Sequence, residues 1–409
     1  MARTKDGRLK ISIKGHLPDL LNFSKLVKIR KKKFKNAPPS LQTTHEVNQT
    51  ASILHPVKQF LVIQEITDET GTTKTFKLVP DTEKGQEKLA YFRPGQYLSI
   101  QAEAYEVAIS RPYSISSSPS EALKGFYEIT MKKVDDGFLT RYAWDEWKVG
   151  TRVTASGPEG NFYHEPLRDT KDIVAIAGGS GITPFRSMAR EIMEKDLDLN
   201  LIIMYGSSDE GDIIFKDELE AMARKSGKVS LVHVLSCDEV HIEGCEKGFI
   251  TADLIKKHAR VGDSTFFVCG PAIMQDFILN ELKKLGVPRK RIRKELSGET
   301  RDVMSIEGYP KDMGDKTFSI KVHMAGDTHV VPASARKTVL VALERANLKP
   351  PSRCRSGECG YCRSLLVKGN VFINLVNDGR RIADKELGYF HPCSSYPLED
   401  LEIVVPLEK

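Results

Sequence analysis

Near its C-terminus the chain reads Cys354-Arg355-Ser356-Gly357-Glu358-Cys359-Gly360-Tyr361-Cys362, and a fourth cysteine follows at Cys393. The spacing C-x4-C-x2-C with one distant cysteine is a pattern that holds a 2Fe–2S cluster through four thiolates. Glycines inside the loop allow tight turns that bring backbone N–H groups toward the sulfurs. Buried free cysteines and a zinc site are the alternatives, but zinc sites usually present two paired knuckles. The spacing therefore predicts metal ligation by Cys354, Cys359, Cys362 and Cys393.

Length and composition set limits on the class of protein. A chain of 409 residues is long enough for about two to four domains. No run approaches the roughly 20 apolar residues that span a bilayer, and the N-terminus lacks the apolar core of a secretory signal. Seven cysteines, four of them in the predicted cluster, are typical of a reducing compartment, so a cytoplasmic protein is expected.

The net charge of +6 is unevenly distributed along the chain. Residues 1–37 carry twelve Lys or Arg against two Asp, a net charge of +10, which leaves −4 for the rest. Such a distribution argues against a nucleic-acid partner for the whole protein. Residues 1–50 form a basic extension in which apolar residues alternate with cations. This pattern fits a solvated arm or a short packed helix, and alternatively a peripheral contact with a membrane surface or an acidic partner.

Residues 51–165 alternate apolar and polar side chains with a period of two, between Gly/Pro turns, which predicts a small antiparallel β-barrel or sandwich. Within this region Arg111-Pro112-Tyr113-Ser114 would place a cation and an aromatic ring on one face of a strand. That arrangement suits a flat heterocycle bearing a phosphate. The predicted strands are Val57–Gln64, Thr73–Val79, Gln96–Gln101, Tyr113–Ser116, Phe126–Lys132 and Arg152–Ala155.

Residues 166–298 alternate strands with helices, which predicts a parallel, doubly wound sheet. The first strand runs into Gly178-Gly179-Ser180-Gly181-Ile182-Thr183-Pro184. Glycines between a strand and a helix let a phosphate approach the helix N-terminus; a turn used only for packing is the alternative. The five predicted strands are Asp172–Ala177, Leu199–Tyr205, Lys228–Leu235, Thr265–Cys269 and Ile292–Leu296.

The loop after the second of these strands bears on the choice of nucleotide. It carries Asp209 and Glu210, and its next cation is Lys216. Carboxylates would repel the 2′-phosphate of NADPH, which needs Arg or Lys nearby. The sequence therefore favours NADH.

Residues 299–315 are rich in Gly, Pro and charge, which predicts a linker. In residues 316–409 the strand pattern alone supports an α+β domain. Its predicted elements are a hairpin of Thr317–His323 and Thr328–Pro332, a helix at Thr338–Ala346, and closing strands at Leu365–Lys368 and Leu401–Val405.

Taken in order, these motifs resemble the ferredoxin–NADP reductase-like superfamily over about residues 55–409. The segment from Arg111 to Ser114 resembles its flavin-binding strand. Gly137-Phe138-Leu139-Thr140 resembles the helix start that holds the flavin pyrophosphate, and the segment from Gly178 to Pro184 resembles the nicotinamide-nucleotide motif. Cys269-Gly270-Pro271 with Met274 resembles the element on the nicotinamide side, and residues 316–409 resemble a β-grasp ferredoxin domain.

The domain order is similar to that of single-chain reductases serving oxygenases and hydroxylases, such as the phenol hydroxylase and phenylacetyl-CoA epoxidase reductases. The resemblance implies FAD, with FMN as an alternative, and a relay from NADH through flavin and cluster to a partner protein. It implies roles for Tyr113, Ser114 and Cys269 at the reacting rings. A non-catalytic electron-transfer subunit, like that of dihydroorotate dehydrogenase, is the alternative, although that family's last cysteine lies much closer to the third.

Overall fold

The computed structural model describes residues 2–3, 9–10, 16–37, 45–134, 137–237, 244–295, 298, 302–374 and 378–407. The chain divides into two units, Met1–Ala51 and Ser52–Lys409. Parts of the predicted basic extension, Leu296 of the last predicted nucleotide-domain strand, and residues 299–301 of the predicted linker lie outside the described residues.

The basic extension contains a long helix. Strands β1 (Ala2–Arg3) and β2 (Leu9–Lys10) pair antiparallel, and α1 spans His16–Lys35. Three lysines in the last turn of α1 complement the negative end of the helix dipole. Helix α2 follows at Glu46–Leu54. Among the described residues, none of the helices combines the length and apolar character needed to cross a bilayer.

The next region is an antiparallel barrel. Its six strands are ordered β6-β5-β8-β3-β4-β7, and Ile115, just after β6, bridges to Ile129 of β7. This contact closes the sheet on itself around a core that includes Leu61, Phe76 and Leu98. The elements are β3 (Gln59–Thr70), β4 (Thr73–Pro80), β5 (Tyr97–Ala104), β6 (Val107–Ser114), α3 (Pro119–Leu123), β7 (Tyr127–Lys132), α4 (Phe138–Glu146) and β8 (Arg152–Ala155).

Several strand predictions in the barrel were wrong in their limits. The strand expected at Val57–Gln64 spans Gln59–Thr70, and the one expected at Gln96–Gln101 spans Tyr97–Ala104. The strand expected at Tyr113–Ser116 begins at Val107 and ends at Ser114. It follows β5 through a turn at Tyr105 and Glu106, which have φ of 50° and 63°. Because this left-handed turn uses neither Gly nor Asn, the sequence contained no hairpin signal at this point.

The nucleotide domain is a parallel sheet in the order β12-β11-β10-β9-β13-β14. The first strand in sequence, β9, lies between β10 and β13. Successive strands are therefore added first on one side of β9 and then on the other, and parallel sheets bind ligands at this switch point. Among the described residues the sheet has six strands instead of the five predicted, because Glu246–Lys247 is too short to show a period. The elements are β9 (Asp172–Gly178), α5 (Thr183–Glu194), β10 (Asn200–Ser207), α6 (Lys216–Lys225), β11 (Val229–Leu235), β12 (Glu246–Lys247), α7 (Ala252–His258), β13 (Ser264–Cys269), α8 (Ala272–Lys284) and β14 (Ile292–Lys294).

The C-terminal domain is a mixed sheet in the order β16-β15-β21-β17-β19, in which β15 and β21 are parallel. Helix α9 buries Val339 and Leu343 against this sheet, which is the α+β arrangement that the resemblance implied. The elements are β15 (Thr317–Met324), β16 (Asp327–Ser334), α9 (Val339–Arg345), β17 (Ser364–Lys368), β18 (Val371–Ile373), α10 (Ile382–Glu386), β19 (Tyr389–Phe390), β20 (Ser395–Pro397) and β21 (Leu401–Val404).

Candidate functional site

The predicted flavin strand lies in β6, at the edge where the barrel closes. Tyr113 is opposite Leu98 and Ser114 is opposite Tyr97 on β5. Tyr113 packs against the barrel core. Burial raises the pKa of its phenol above the usual value, so the ring stays neutral and suits stacking.

The predicted pyrophosphate element lies at the start of α4. Gly137 is the N-cap residue, and a Cβ there would lie 2.1 Å from Thr140 Oγ1. Thr140 Oγ1 is itself buried without a hydrogen-bond partner among the described residues. Leu139 anchors the helix in the barrel core, and Phe138 is exposed. An orphaned hydroxyl beside a helix N-terminus fits a phosphate group.

The two predicted nicotinamide elements interlock. A Cβ on Gly181 would lie 2.2 Å from the carbonyl oxygen of Cys269, and one on Gly178 would lie 2.1 Å from Met274 Sδ. These two glycines are therefore required for packing. Gly179 of the same loop differs from these two glycines, because a Cβ there would meet nothing within 4 Å. The loop thus keeps an open face beside the start of α5, where a dinucleotide phosphate fits.

The remaining residues predicted to bind nucleotide lie in the same loops. Ile182 is fully buried, and Thr183 and Pro184 form the first turn of α5. Across the switch point, Gly270 follows β13 with φ of 159°, and Pro271 is the N-cap residue of α8. The structure therefore brings both predicted nicotinamide elements to one edge of the sheet.

Glu295 joins strand β6 to the loop after β13, that is, the predicted flavin strand to a predicted nicotinamide element. Ser114 Oγ donates to Glu295 Oε1 over 3.0 Å, and the Cys269 thiol donates to Oε2. Burial raises the pKa of Glu295. Burial and the neighbouring carboxylate raise the pKa of Cys269 well above its usual value, so the thiol is neutral and acts as a donor.

The role of Glu295 was not predicted from the sequence. It directly follows β14, which pairs with β13, and its backbone N–H donates to the carbonyl of Val268. The predicted last strand, Ile292–Leu296, contained Glu295. The sequence therefore did not place this carboxylate at the edge where the carboxyl ends of neighbouring parallel strands meet.

The four predicted cluster cysteines come together. Cys362 Sγ lies 3.4 Å from Cys393 Sγ. The N–H of Cys359 lies 3.4 Å from Cys354 Sγ, and the N–H of Tyr361 lies 3.5 Å from Cys359 Sγ. Such N–H···S contacts stabilise thiolate charge. The donor set is all sulfur, which fits an iron–sulfur cluster.

In the part of the chain that the structure describes, no three side chains of His, Cys, Asp or Glu are placed to hold one ion. A two-iron cluster does not require such convergence, because its four thiolates are shared between two irons.

The cluster loop lies against the flavin strand. Ser110 Oγ, on β6, donates to the carbonyl of Ser352 over 3.1 Å, and Ser99 Oγ, on β5, donates to the carbonyl of Arg353 over 3.4 Å. The pKa of Tyr97 is raised first by burial and then by the nearby thiols of the loop. Strands β5 and β6 therefore separate the cluster loop from the interior of the barrel.

Three family models match the chain in the order of these sites. An oxidoreductase FAD-binding domain matches residues 61–164, an oxidoreductase NAD-binding domain matches residues 175–280, and a 2Fe-2S iron-sulfur cluster binding domain matches residues 322–398. Each match covers the part of the chain in which the corresponding residues lie.

Relatives of this chain match it over most of their own length. The ferredoxin reductase component of 3-ketosteroid-9-alpha-monooxygenase from Rhodococcus rhodochrous is 28% identical over 83% of this chain and 94% of its own. The glycine betaine monooxygenase reductase subunit of Pseudomonas aeruginosa is 27% identical over 85% and 94%. Phthalate dioxygenase reductase shares the fold with a TM-score of 0.61 and 22% identity, over 86% of this chain and 98% of that one.

The fold and the sites define an oxidoreductase with FAD-binding, NAD-binding and 2Fe–2S domains. The chain carries these three domains in one polypeptide, and it is similar over most of its length to reductase components of oxygenases.

Proposed function

We propose that this protein is the NADH-dependent reductase of a terminal oxygenase or hydroxylase. When bound, FAD and the 2Fe–2S cluster supply the conversion of a two-electron hydride into single electrons. The observation that carries the proposal is the meeting of Ser114 and Cys269 on Glu295, while the cluster loop lies against the same strand, β6.

The residues have distinct proposed tasks in this relay. Tyr113 stacks on the flavin ring, and Ser114 and Cys269 hold the reacting rings at Glu295. Arg111 and the start of α4 bind the flavin phosphates. The loops after β9 and β13 bind the dinucleotide. The proposed cofactor-binding residues are Arg111, Pro112, Tyr113, Ser114, Gly137, Phe138, Leu139, Thr140, Gly178, Gly179, Gly181, Ile182, Thr183, Pro184, Gly270, Pro271 and Met274.

The cluster ligands are proposed to be Cys354, Cys359, Cys362 and Cys393. Burial of three of these thiols, with Cys359 exposed, supports a cluster that is shielded yet close to the surface. That position suits electron delivery to a partner protein.

The preference for NADH rests on the loop after β10. Asp209 and Glu210 are exposed there, and Glu210 forms an ion pair with Lys216. The next cation along the chain is thus already paired with a carboxylate. A 2′-phosphate would find net negative charge, whereas the hydroxyl of NADH can donate to a carboxylate.

The oxygenase partner is supported by the relatives, which are named as reductase components of monooxygenases. The seven cysteines, all of them among the described residues, form no disulfide, which supports a reducing location, and we propose the cytoplasm. We also propose domain limits of 51–165 for flavin, 166–298 for nucleotide and 316–409 for the cluster. The basic extension at 1–50 and the linker at 299–315 complete the chain.

Cofactor analysis of the purified protein tests this assignment. Release of the flavin by denaturation, with chromatographic identification, should give FAD, and iron and sulfide should be present in equal amounts. Recovery of FMN would show that the bound flavin lacks the adenine part of FAD. Zinc in place of iron would contradict the proposed relay.

A further inference from the structure

One carboxylate connects the flavin barrel with the cluster loop. Glu344 of α9 is 4% exposed and lies between two arginines. Arg355 donates to it from both terminal nitrogens, with Nη2 at 3.0 Å from Oε2. On the other side, Arg111 Nη1 of strand β6 lies 3.8 Å from Oε2. Glu344 therefore bridges the predicted flavin-phosphate residue and the loop that carries the first cluster cysteine.

The Glu344–Arg355 pair fixes the shape of that loop. Arg355 is 1% exposed, and a buried charge is stable only when it is paired and hydrogen-bonded. Its φ is 54°, a left-handed conformation that costs a non-glycine residue about 1 kcal/mol or more. The conformation of the residue directly after Cys354 is thus held by Glu344.

On the other side of Cys354, Arg353 contacts both the barrel and the cluster loop. Arg353 forms an ion pair with Glu159, and its guanidinium carbon lies 3.8 Å from the centre of the Tyr361 ring. The two arginines that flank Cys354 therefore attach the loop to the barrel by different routes. Arg353 attaches the loop to the barrel directly, and Arg355 attaches it through Glu344 and Arg111.

We propose that Glu344 is a positioning residue for electron transfer from flavin to cluster, because it sets the cluster loop against the flavin strand through Arg111. This inference rests on the proposed function. Hydride transfer depends on Ser114, Cys269 and Glu295, none of which contacts Glu344 among the described interactions. Loss of the carboxylate should therefore affect the second step and leave the first one intact.

The test uses the holoprotein with Glu344→Gln, mixed anaerobically with NADH in a stopped-flow spectrometer. Flavin reduction should proceed at the wild-type rate. Cluster reduction should slow severalfold or more, because electron transfer weakens as the flavin and the cluster move apart. Glu402→Gln is the matched control, because Glu402 pairs with Lys321 and His323 in the same domain. It should match the wild type in both phases.

Iron content and the electron paramagnetic resonance spectrum show whether the variant holds an intact cluster. If Glu344→Gln loses the cluster, Glu344→Asp is tested in its place. This variant keeps the negative charge but has a shorter side chain, and the same slowing of cluster reduction is expected. Cluster reduction at the wild-type rate in a fully loaded variant would overturn the inference alone. Failure of NADH to reduce the cluster in the wild type would instead overturn the proposed function.

Discussion

Ser114 Oγ donates a 3.0 Å hydrogen bond to Glu295, which connects the flavin barrel to the end of the nucleotide-binding sheet. The second carboxylate oxygen accepts from the Cys269 thiol. Three side chains from β6, from the end of β13 and from the residue after β14 therefore form one hydrogen-bonded set. Its position, where the predicted flavin and nicotinamide elements meet, makes Glu295 the residue most informative to change.

We expect Glu295→Gln to slow flavin reduction by NADH by about tenfold or more, because a small misplacement of reacting groups can cost up to about a hundredfold in rate. Glutamine keeps the shape of glutamate but loses the charge that accepts from both donors. Rapid-mixing measurements at saturating NADH test this expectation. A wild-type rate in a correctly folded variant would show that Glu295 only packs the interface.

The pH profile gives a separate check on Glu295. Burial raises its pKa above the ordinary 4.5, so the wild-type rate should fall as pH drops through that raised value and the carboxylate is protonated. The native state also binds this proton more tightly than the unfolded chain, so the residue's unfavourable contribution to stability shrinks as pH falls. Glu295→Gln should lack the inflection in rate, and an identical profile in both proteins would exclude Glu295 as its source.

Gly181→Ala should weaken NADH binding by about tenfold or more and leave the flavin bound. The added Cβ would lie 2.2 Å from the carbonyl oxygen of Cys269, so the two nucleotide loops would have to separate. Titration with NADH, followed by flavin absorbance, measures the affinity. Gly227→Ala is the control, because its Cβ would meet nothing within 4 Å. Equal affinities in the two variants would contradict the interlocked arrangement.

Asp209→Arg should raise the affinity for NADPH, because an arginine in the loop after β10 can accommodate a 2′-phosphate. The ratio of kcat/KM for the two nucleotides is the measurement. Asp68→Arg makes the same change of charge on the barrel, where Asp68 lies 3.8 Å from Lys74, and it should leave the ratio unchanged. If Asp209→Arg retained the wild-type preference, another loop would set the choice of nucleotide.

Cys359→Ala should abolish the absorbance of the cluster and spare flavin reduction by NADH. Cys359 is the exposed cysteine of the loop, and its removal leaves three thiolates for a cluster that needs four. Cys237→Ala, at a half-buried thiol outside the loop, should behave like the wild type. A full cluster in Cys359→Ala would refute the ligand assignment.

Much of this architecture was predictable because its motifs impose their own local geometry. The spacing from Cys354 to Cys362 predicted that these cysteines lie in one loop with Cys393 nearby, and Cys362 Sγ lies 3.4 Å from Cys393 Sγ. The glycines at 178 and 181 were predicted to admit a phosphate, whereas the structure shows them packed against Met274 and Cys269; phosphate binding by this loop stays a prediction. The hairpin turn at Tyr105 and Glu106 was missed because the surrounding barrel imposes an unusual conformation on ordinary residues.

The partnerships of Glu295 and Glu344 were also missed, for a different reason. Each of these carboxylates acquires its role through residues far away in sequence, Ser114 in one case and Arg111 in the other. A single glutamate after a short strand, or within a helix, has no spacing that marks it. Tertiary packing alone identifies it.

An anaerobic titration of the purified protein with NADH, followed by visible and electron paramagnetic resonance spectra, tests the relay most directly. We predict that the flavin absorbance bleaches and that the signal of a reduced 2Fe–2S cluster then appears. A flavin that is reduced while the cluster stays oxidised, or the absence of any response to NADH, would contradict the proposed path from nucleotide through flavin to cluster.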